Sequence, residues 1–521
     1  MNIPNLLNIN FSGKIEDKKS TARRPYLAPQ KPDTFEHTNI NTQEPKKDSL
    51  LTKISNLYNQ ATPAKLDVFG ENLAKDEKLD EKKLQGLMKD MSTSDTLYFT
   101  LERAKYDDKN NYLLRGIITE DDEADENIKL LDKDLNVLEQ ESRRVNVDDE
   151  GYPVSKKILT QDFRTNTFCE TKFEYTPEGY PIMSKAVKIK RDAQNRLLRK
   201  ETYEKSDVEG MFNVKYEFPN GKSRQISKAY IDKNGHTIVE KDMRSSDMTR
   251  TQYRYEDDPK GNRIVDYKIT TADGKVLMNQ SQSFEVLGEN KFRSSRNDKT
   301  YMIEFNKKNN SIDITDEKKK ETSQIELTDY IDGNEEKIIN VLKKFPGDEL
   351  INLGNKVSCI NEIENKLDGL CVTHMFDSDN GIWTTGFLTV SDDPFIFLHE
   401  LGHATDSCDK NVKLVRNEDG NLEKKVIGMI SDDDNFKKIY SEESKNFLKE
   451  FPTNEREHID YFLNNNIDGA KNQGKKETVA ETNAILNTYQ STGLLGIRTQ
   501  YLQQHFPKTI AYLSEKLVPS K

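Results

Sequence analysis

Cysteine, tryptophan and long apolar runs are what this sequence has least of. Its 521 residues include four Cys and one Trp. The thiols, Cys169, Cys359, Cys371 and Cys408, form no C-x-x-C pair. That argues against a Cys zinc site and a disulfide framework, and fits free thiols in a reducing compartment. No stretch is apolar enough to span a bilayer. The opening Met1-Asn2-Ile3-Pro4-Asn5 has neither a basic n-region nor an apolar h-region. The expected location is therefore the cytoplasm, or outside the cell by a leaderless route. Positive charge is also short: 79 Lys and Arg against 90 Asp and Glu leave a net charge of -11. This argues against nucleic acid or an anionic membrane as the main partner. With 34% hydrophobic and 32% charged residues, the chain is too polar for one large core. Its length suggests roughly two to four domains.

What is present divides the chain by composition. Residues 1–45 are polar and carry many Pro, Asn, Lys and Asp, the pattern of a disordered leader. Residues 46–94 read as a helical segment, with Leu50, Leu51, Ile54 and Leu57 on one face and Leu84, Leu87, Met88 and Met91 on another. Residues 95–320 read as a β-hairpin repeat region. Alternating runs such as Val214-Lys215-Tyr216-Glu217-Phe218 are separated by turns at Asp149-Glu150-Gly151, Pro177-Glu178-Gly179, Pro219-Asn220-Gly221, Lys233-Asn234-Gly235, Pro259-Lys260-Gly261 and Ala272-Asp273-Gly274. Gly151, Asn195, Gly235 and Gly274 follow one another at 44, 40 and 39 residues, and Gly179, Gly221 and Gly261 interleave at 42 and 40. A pair of hairpins repeats at this period. Strands so rich in Lys, Arg, Glu and Thr imply an extended, largely solvated antiparallel sheet. Such a sheet serves as a spacer or as a surface for protein docking. Residues 321–521 are mainly helical. Glu335–Phe345 reads as a helix ended by Pro346-Gly347, Ile360–Leu370 as another, and Ile382–Val390 as an exposed strand. The whole is a multidomain α+β chain.

One motif carries chemistry. His399-Glu400-Leu401-Gly402-His403 is an H-E-x-x-H sequence. On a helix its two His share one face and reach one ion, with Glu400 beside the water as general base. Neutral imidazoles suit Zn²⁺. Asp393-Pro394 reads as N-cap and first helical residue, and Phe395, Ile396, Phe397, Leu398 and Leu401 make the helix a buried one. The plainer alternative is a core helix whose His are satisfied by hydrogen bonds. A metzincin would place a third His six residues after His403, where Asp409 stands. A later helix offers Glu477 and Glu481, four apart and on one face. One of the pair can bind metal while the other accepts an N–H from a ligand His.

Three segments together resemble the anthrax-lethal-factor-type and Pro-Pro endopeptidase metalloproteases. They are Phe397–Asp406, Glu477-Thr478-Val479-Ala480-Glu481 and the tail Tyr501–Thr509, and the resemblance covers the C-terminal domain alone. It implies a zincin-like domain in which Glu477 is the third zinc ligand and Glu481 its carboxylate partner. Asp406 would be a structural acid or one that backs a ligand. These families place a catalytic Tyr seven residues before the ligand Glu, where this chain has Ala470, so Tyr461 or His458 would have to supply the oxyanion donor. The gap from His403 to Glu477 is also longer than theirs, by an inserted hairpin from Lys413 to Ile427. The expectation is a zinc-dependent endopeptidase, toxin- or effector-like and bacterial in type. Its protein or peptide substrate would lie extended along residues 382–390. Two rivals remain: a non-catalytic zincin-like binding module, and an adhesin or scaffold in which the hairpin array is the working part.

Overall fold

The computed structural model describes residues 67–71, 79–104, 111–119, 125–148, 151–176, 182–327, 331–332, 334–362, 369–378, 381–416, 422–450, 460–463, 466–467, 470–471, 473–489 and 493–517. The polar leader, the face built on Leu50 to Leu57, and His458 lie outside the described residues.

The hairpin region forms most of one 19-stranded sheet. Its first strand, Asp67–Glu71, pairs parallel with Tyr98–Arg103. Between them the helix Glu81–Met91 crosses one face, where Leu84, Met88 and Met91 pack on Phe99, Leu101 and Leu114. The segment expected to be helical therefore contains a strand as well, because Val68-Phe69 finds an edge to pair with. From Tyr98 onward each strand pairs antiparallel with the next, out to Glu321–Glu326. The burial of Arg263–Thr270 alternates strictly, as period-two side chains must when one face is covered.

The turns repeat one device. Asp148, Asp192, Asp232 and Asp258 each accept a backbone N–H from the residue four further on. Each turn then closes through Gly151, Asn195, Gly235 or Gly261, all at positive φ. The aspartate imitates a turn of backbone, and Gly or Asn takes the left-handed position at little cost. This D-x-x-G/N unit occurs in both interleaved series of turns, at Asp148, Asp192 and Asp232 in one and at Asp258 in the other.

Beyond Glu326 a small mixed sheet runs in the order Ile331–Asp332, Val357–Glu362, Gly381–Val390, Leu370–Ser378. Two expectations are corrected here. Ile360 lies in a strand, not a helix, because Val357 and Ile360 are buried against the neighbouring strand. Pro346 does not merely end the helix Glu335–Leu342; it caps the next one, Gly347–Lys356. The helices Pro394–Ser407, Asp434–Glu450, Gln473–Ile485, Gly493–His505 and Pro507–Leu517 follow. Among the described residues, no helix is long and apolar enough to cross a membrane.

One hydrophobic core joins the sheet to these helices. It takes Tyr216, Tyr253, Tyr267, Phe284 and Ile303 from the strands, and Phe345, Leu350, Phe397, Leu401, Phe506 and Leu513 from the helical part. Buried polar contacts cross the same interface. Lys188 donates to Tyr501 at 3.2 Å and Lys241 to Gln503 at 2.6 Å, while Arg296 pairs with Asp348 at 2.8 Å. The second half of the sheet is thus a wall of the helical part.

Candidate metal centre

Asp393 starts the motif helix by accepting the Phe395 N–H at 2.7 Å, with Pro394 in its first turn. Phe397 stacks edge-on against Phe345 at 5.0 Å. Buried on its apolar side, the helix holds His399 and His403 one turn apart, their rings 4.9 Å from each other. The glutamate helix Gln473–Ile485 crosses it at contact distance. A Cβ on Gly402 would sit 2.7 Å from Ala480 Cα and 2.9 Å from its carbonyl oxygen. Only glycine at 402 allows this approach, which brings Glu477 to both imidazoles.

The His399 and His403 Nε2 atoms each lie 3.2 Å from Glu477 Oε2. One donor atom from each of these residues falls within 4.8 Å of the others. Behind them, His399 Nδ1 donates to Glu481 Oε2 at 3.1 Å. Thr499 donates its hydroxyl to the other oxygen of Glu481. Burial works against the His399 charge, but the hydrogen bonds to Glu477 and Glu481 prevail and lift its pKa to about 10. Glu477 moves the other way. Burial opposes its charge, yet His403 and His399 hold it far below the usual carboxylate range.

The other expected residues fall into separate roles. Glu400 is buried, and burial pushes its pKa up. It accepts the Cys371 N–H and lies against Gly369, where a Cβ would come within 2.7 Å of Oε1. Asp406 is buried and accepts the Ser431 N–H at 2.8 Å. It anchors the end of the motif helix to a neighbouring turn. Tyr461, on the four-residue helix Asp460–Leu463, donates its hydroxyl to Glu477 Oε2. Its ring lies 6.4 Å from that of His399. The inserted hairpin is the pair Asn411–Arg416 and Leu422–Ile427.

The strand expected to be exposed is not. Gly381–Val390 is paired on both sides, and the edge beside Glu400 belongs to Leu370–Ser378. There Leu370 is 56% exposed and Val372 41%. Arg498 was also not legible as a site residue. Its guanidinium lies 4.0 Å from the Tyr461 ring centre and 3.7 Å from Glu481. An Arg in Ile497-Arg498-Thr499-Gln500 carries no mark of its own in the sequence.

Compared with models of protein families, with curated proteins and with solved structures, the chain matches none.

Proposed function

We propose that the chain is a zinc-dependent endopeptidase whose helical part is a zincin-like domain of the lethal-factor and Pro-Pro endopeptidase design. The observation that carries this reading is the convergence of His399 Nε2, His403 Nε2 and Glu477 Oε2, with Glu481 on the far nitrogen of His399. Two nitrogens and one carboxylate oxygen are what a catalytic zinc takes. The Glu481 hydrogen bond occupies Nδ1 and leaves Nε2 as the ligand atom. The donor set therefore fits the metal. When bound, Zn²⁺ would supply Lewis acidity toward a peptide carbonyl and toward water.

The rest is work for the chain's own groups. Glu400, its carboxylate made more basic by burial, takes the proton of the attacking water and returns it to the leaving amine nitrogen. Tyr461 turns its hydroxyl from Glu477 toward the oxyanion that develops on the scissile carbonyl. The Leu370–Ser378 edge binds an extended stretch of substrate protein by adding it as a further strand, with Leu370 and Val372 offering apolar contact.

A second reading, a non-catalytic zinc-binding module, is favoured by one observation. The Tyr461 hydroxyl is engaged with Glu477, and Ala470 stands where the families this sequence resembles carry their Tyr. A proteome-derived peptide library, incubated with the wild type and with Glu400→Gln, separates the two. The enzyme reading expects cleavage to fall by ~10²–10⁴ in Glu400→Gln with zinc retained. Zinc-loaded wild type that cleaves nothing would favour the module.

A further inference from the structure

We infer that Arg498 is the positioning residue that makes Tyr461 usable in hydrolysis; this rests on the enzyme reading above. Tyr461 lies on a helix of four residues, too short to hold a ring by its own hydrogen bonds. Its neighbour Phe462 is fully buried, and Tyr440 donates to the Phe462 carbonyl, so the backbone is pinned from one side. Arg498 pins the ring from the other. Its guanidinium lies 4.0 Å from the Tyr461 ring centre and 5.6 Å from that of Phe462. The same group lies 3.7 Å from Glu481 Oε2, the carboxylate that orients His399. One side chain therefore touches the supports of both the metal ligand and the oxyanion donor.

Arg498 is also a costly choice. Its Nε is buried without a hydrogen-bond partner, a cost that an apolar side chain filling the same slot would avoid. A planar cation is what both neighbours use: the face stacks on an aromatic ring and the charge meets a carboxylate. Sequence position gives independent support. Arg498 and Thr499 are consecutive on the helix Gly493–His505 and reach different oxygens of Glu481. The turn that orients Glu481 is thus the turn that covers Tyr461.

The two roles separate by substitution. Arg498→Lys keeps the charge and loses the planar stack. It is expected to hold zinc with an affinity within about threefold of wild type in chelator competition, and to lower kcat by ~10–100-fold with little change in KM. Arg498→Gln keeps a planar group and loses the charge. It is expected to weaken zinc by ~10-fold, as loss of support behind a ligand does. In a Tyr461→Phe background the kcat loss from Arg498→Lys should vanish, since the ring it positions no longer carries a hydroxyl. A readout without turnover uses the metal-free protein. Nitration of Tyr461 by tetranitromethane, mapped by peptide mass spectrometry, should be several-fold faster in Arg498→Lys than in wild type. Unchanged nitration, or kcat losses that add in the double variant, would overturn the inference. If the wild type binds zinc but cleaves nothing, the enzyme reading fails and the catalytic role of Arg498 with it. The nitration rates would still decide whether Arg498 holds Tyr461.

Discussion

The two halves of the large sheet share a strand pattern and a turn device, yet they are stabilised in different ways. In the first half, residues 98–176, the apolar clusters are small and local. Leu113, Ile128 and Leu130 form one, and the contacts under the helix Glu81–Met91 form the other. On the face of Leu113, Ile128 and Leu130 the buried Glu102 and Glu126 take part in ion pairs: Arg143 with Glu126 at 2.8 Å, and the partly buried Arg115 with Glu102 at 3.6 Å and with Glu126 at 3.7 Å. In the second half, residues 183–326, the inward face is aromatic and aliphatic and is shared with the helices. Buried ion pairs are weak evidence for stability, because desolvation offsets much of the attraction. Shared apolar burial is the stronger bond. The comparison teaches that a repeat can be uniform along the chain and still divide by function. The first half meets the shared core at its boundary, through Phe173 and Tyr175, and the second is a wall of the candidate metal centre.

Fragments give the largest expected contrast. A fragment of residues 177–521 keeps the shared core and should bind zinc as the full chain does. A fragment of residues 322–521 exposes the apolar surface that Tyr216, Tyr253, Tyr267 and Phe284 cover, and should not fold cooperatively. Near-UV circular dichroism and a melting curve check both. A melting transition in the shorter fragment, with zinc bound, would break the comparison.

Two buried arginines sharpen it. Arg296 hydrogen-bonds Gln282 and Asn487 and pairs with Asp348. Arg296→Met leaves acidic groups buried without their cation and should cost ~3–5 kcal/mol. Asn487 and Asn483 connect that cluster to the Leu398 carbonyl of the motif helix, so zinc should be lost at chelator levels that wild type resists. Arg143→Met in the first half should cost a similar ~3–5 kcal/mol by the same physics. It should leave zinc affinity unchanged. Denaturant unfolding and chelator competition on both variants measure this.

Two helix glycines make a smaller contrast. Gly402→Ala drives a methyl into Ala480 backbone and should cost ~1–3 kcal/mol together with metal affinity. Gly86→Ala, with nothing within 4 Å of the new methyl, should stabilise by about 0.5–1 kcal/mol. Thermal melts read both.

The pH dependence tests the candidate metal centre alone. His399, its pKa raised to about 10, is protonated at neutral pH in the metal-free protein, and a ligand nitrogen must give up that proton. Zinc affinity should therefore rise by about tenfold per unit between pH 7 and pH 9. The stability sign is opposite. The unfolded value is the lower one, so the contribution from protonated His399 is complete below about pH 6.5. It is lost as pH rises through about 10. The metal-free protein should melt at a lower temperature at pH 10 than at pH 7. Affinity flat with pH would show that His399 gives up no proton.

Much of this was legible in the residues, and the exceptions have physical causes. The H-E-x-x-H spacing and the Glu477/Glu481 pair are local helical geometry, which sequence states directly. The hairpin turns are legible for the same reason. Pairing partners are not local. The β-branched and aromatic residues of Ile382–Val390 mark a strand but cannot tell an edge from a strand flanked on both sides; the edge is Leu370–Ser378 instead. Lys188, Lys241 and Arg296 looked like members of a solvated face. They are buried because Tyr501, Gln503 and Asn487 lie opposite them, more than 190 residues away in the chain. Arg498 was hidden likewise, since its importance comes from a ring and a carboxylate on other helices.

The most direct test of the account is the metal itself. Elemental analysis of purified wild type, His399→Ala and Glu477→Ala, each dialysed against trace zinc, measures how many ions the chain holds and through which groups. The account expects one zinc per wild-type chain and none in either variant, with both metal-free variants melting cooperatively but below the metal-free wild type, since each loses a buried His–Glu pair. Zinc absent from the wild type, or retained in full by both variants, would contradict it.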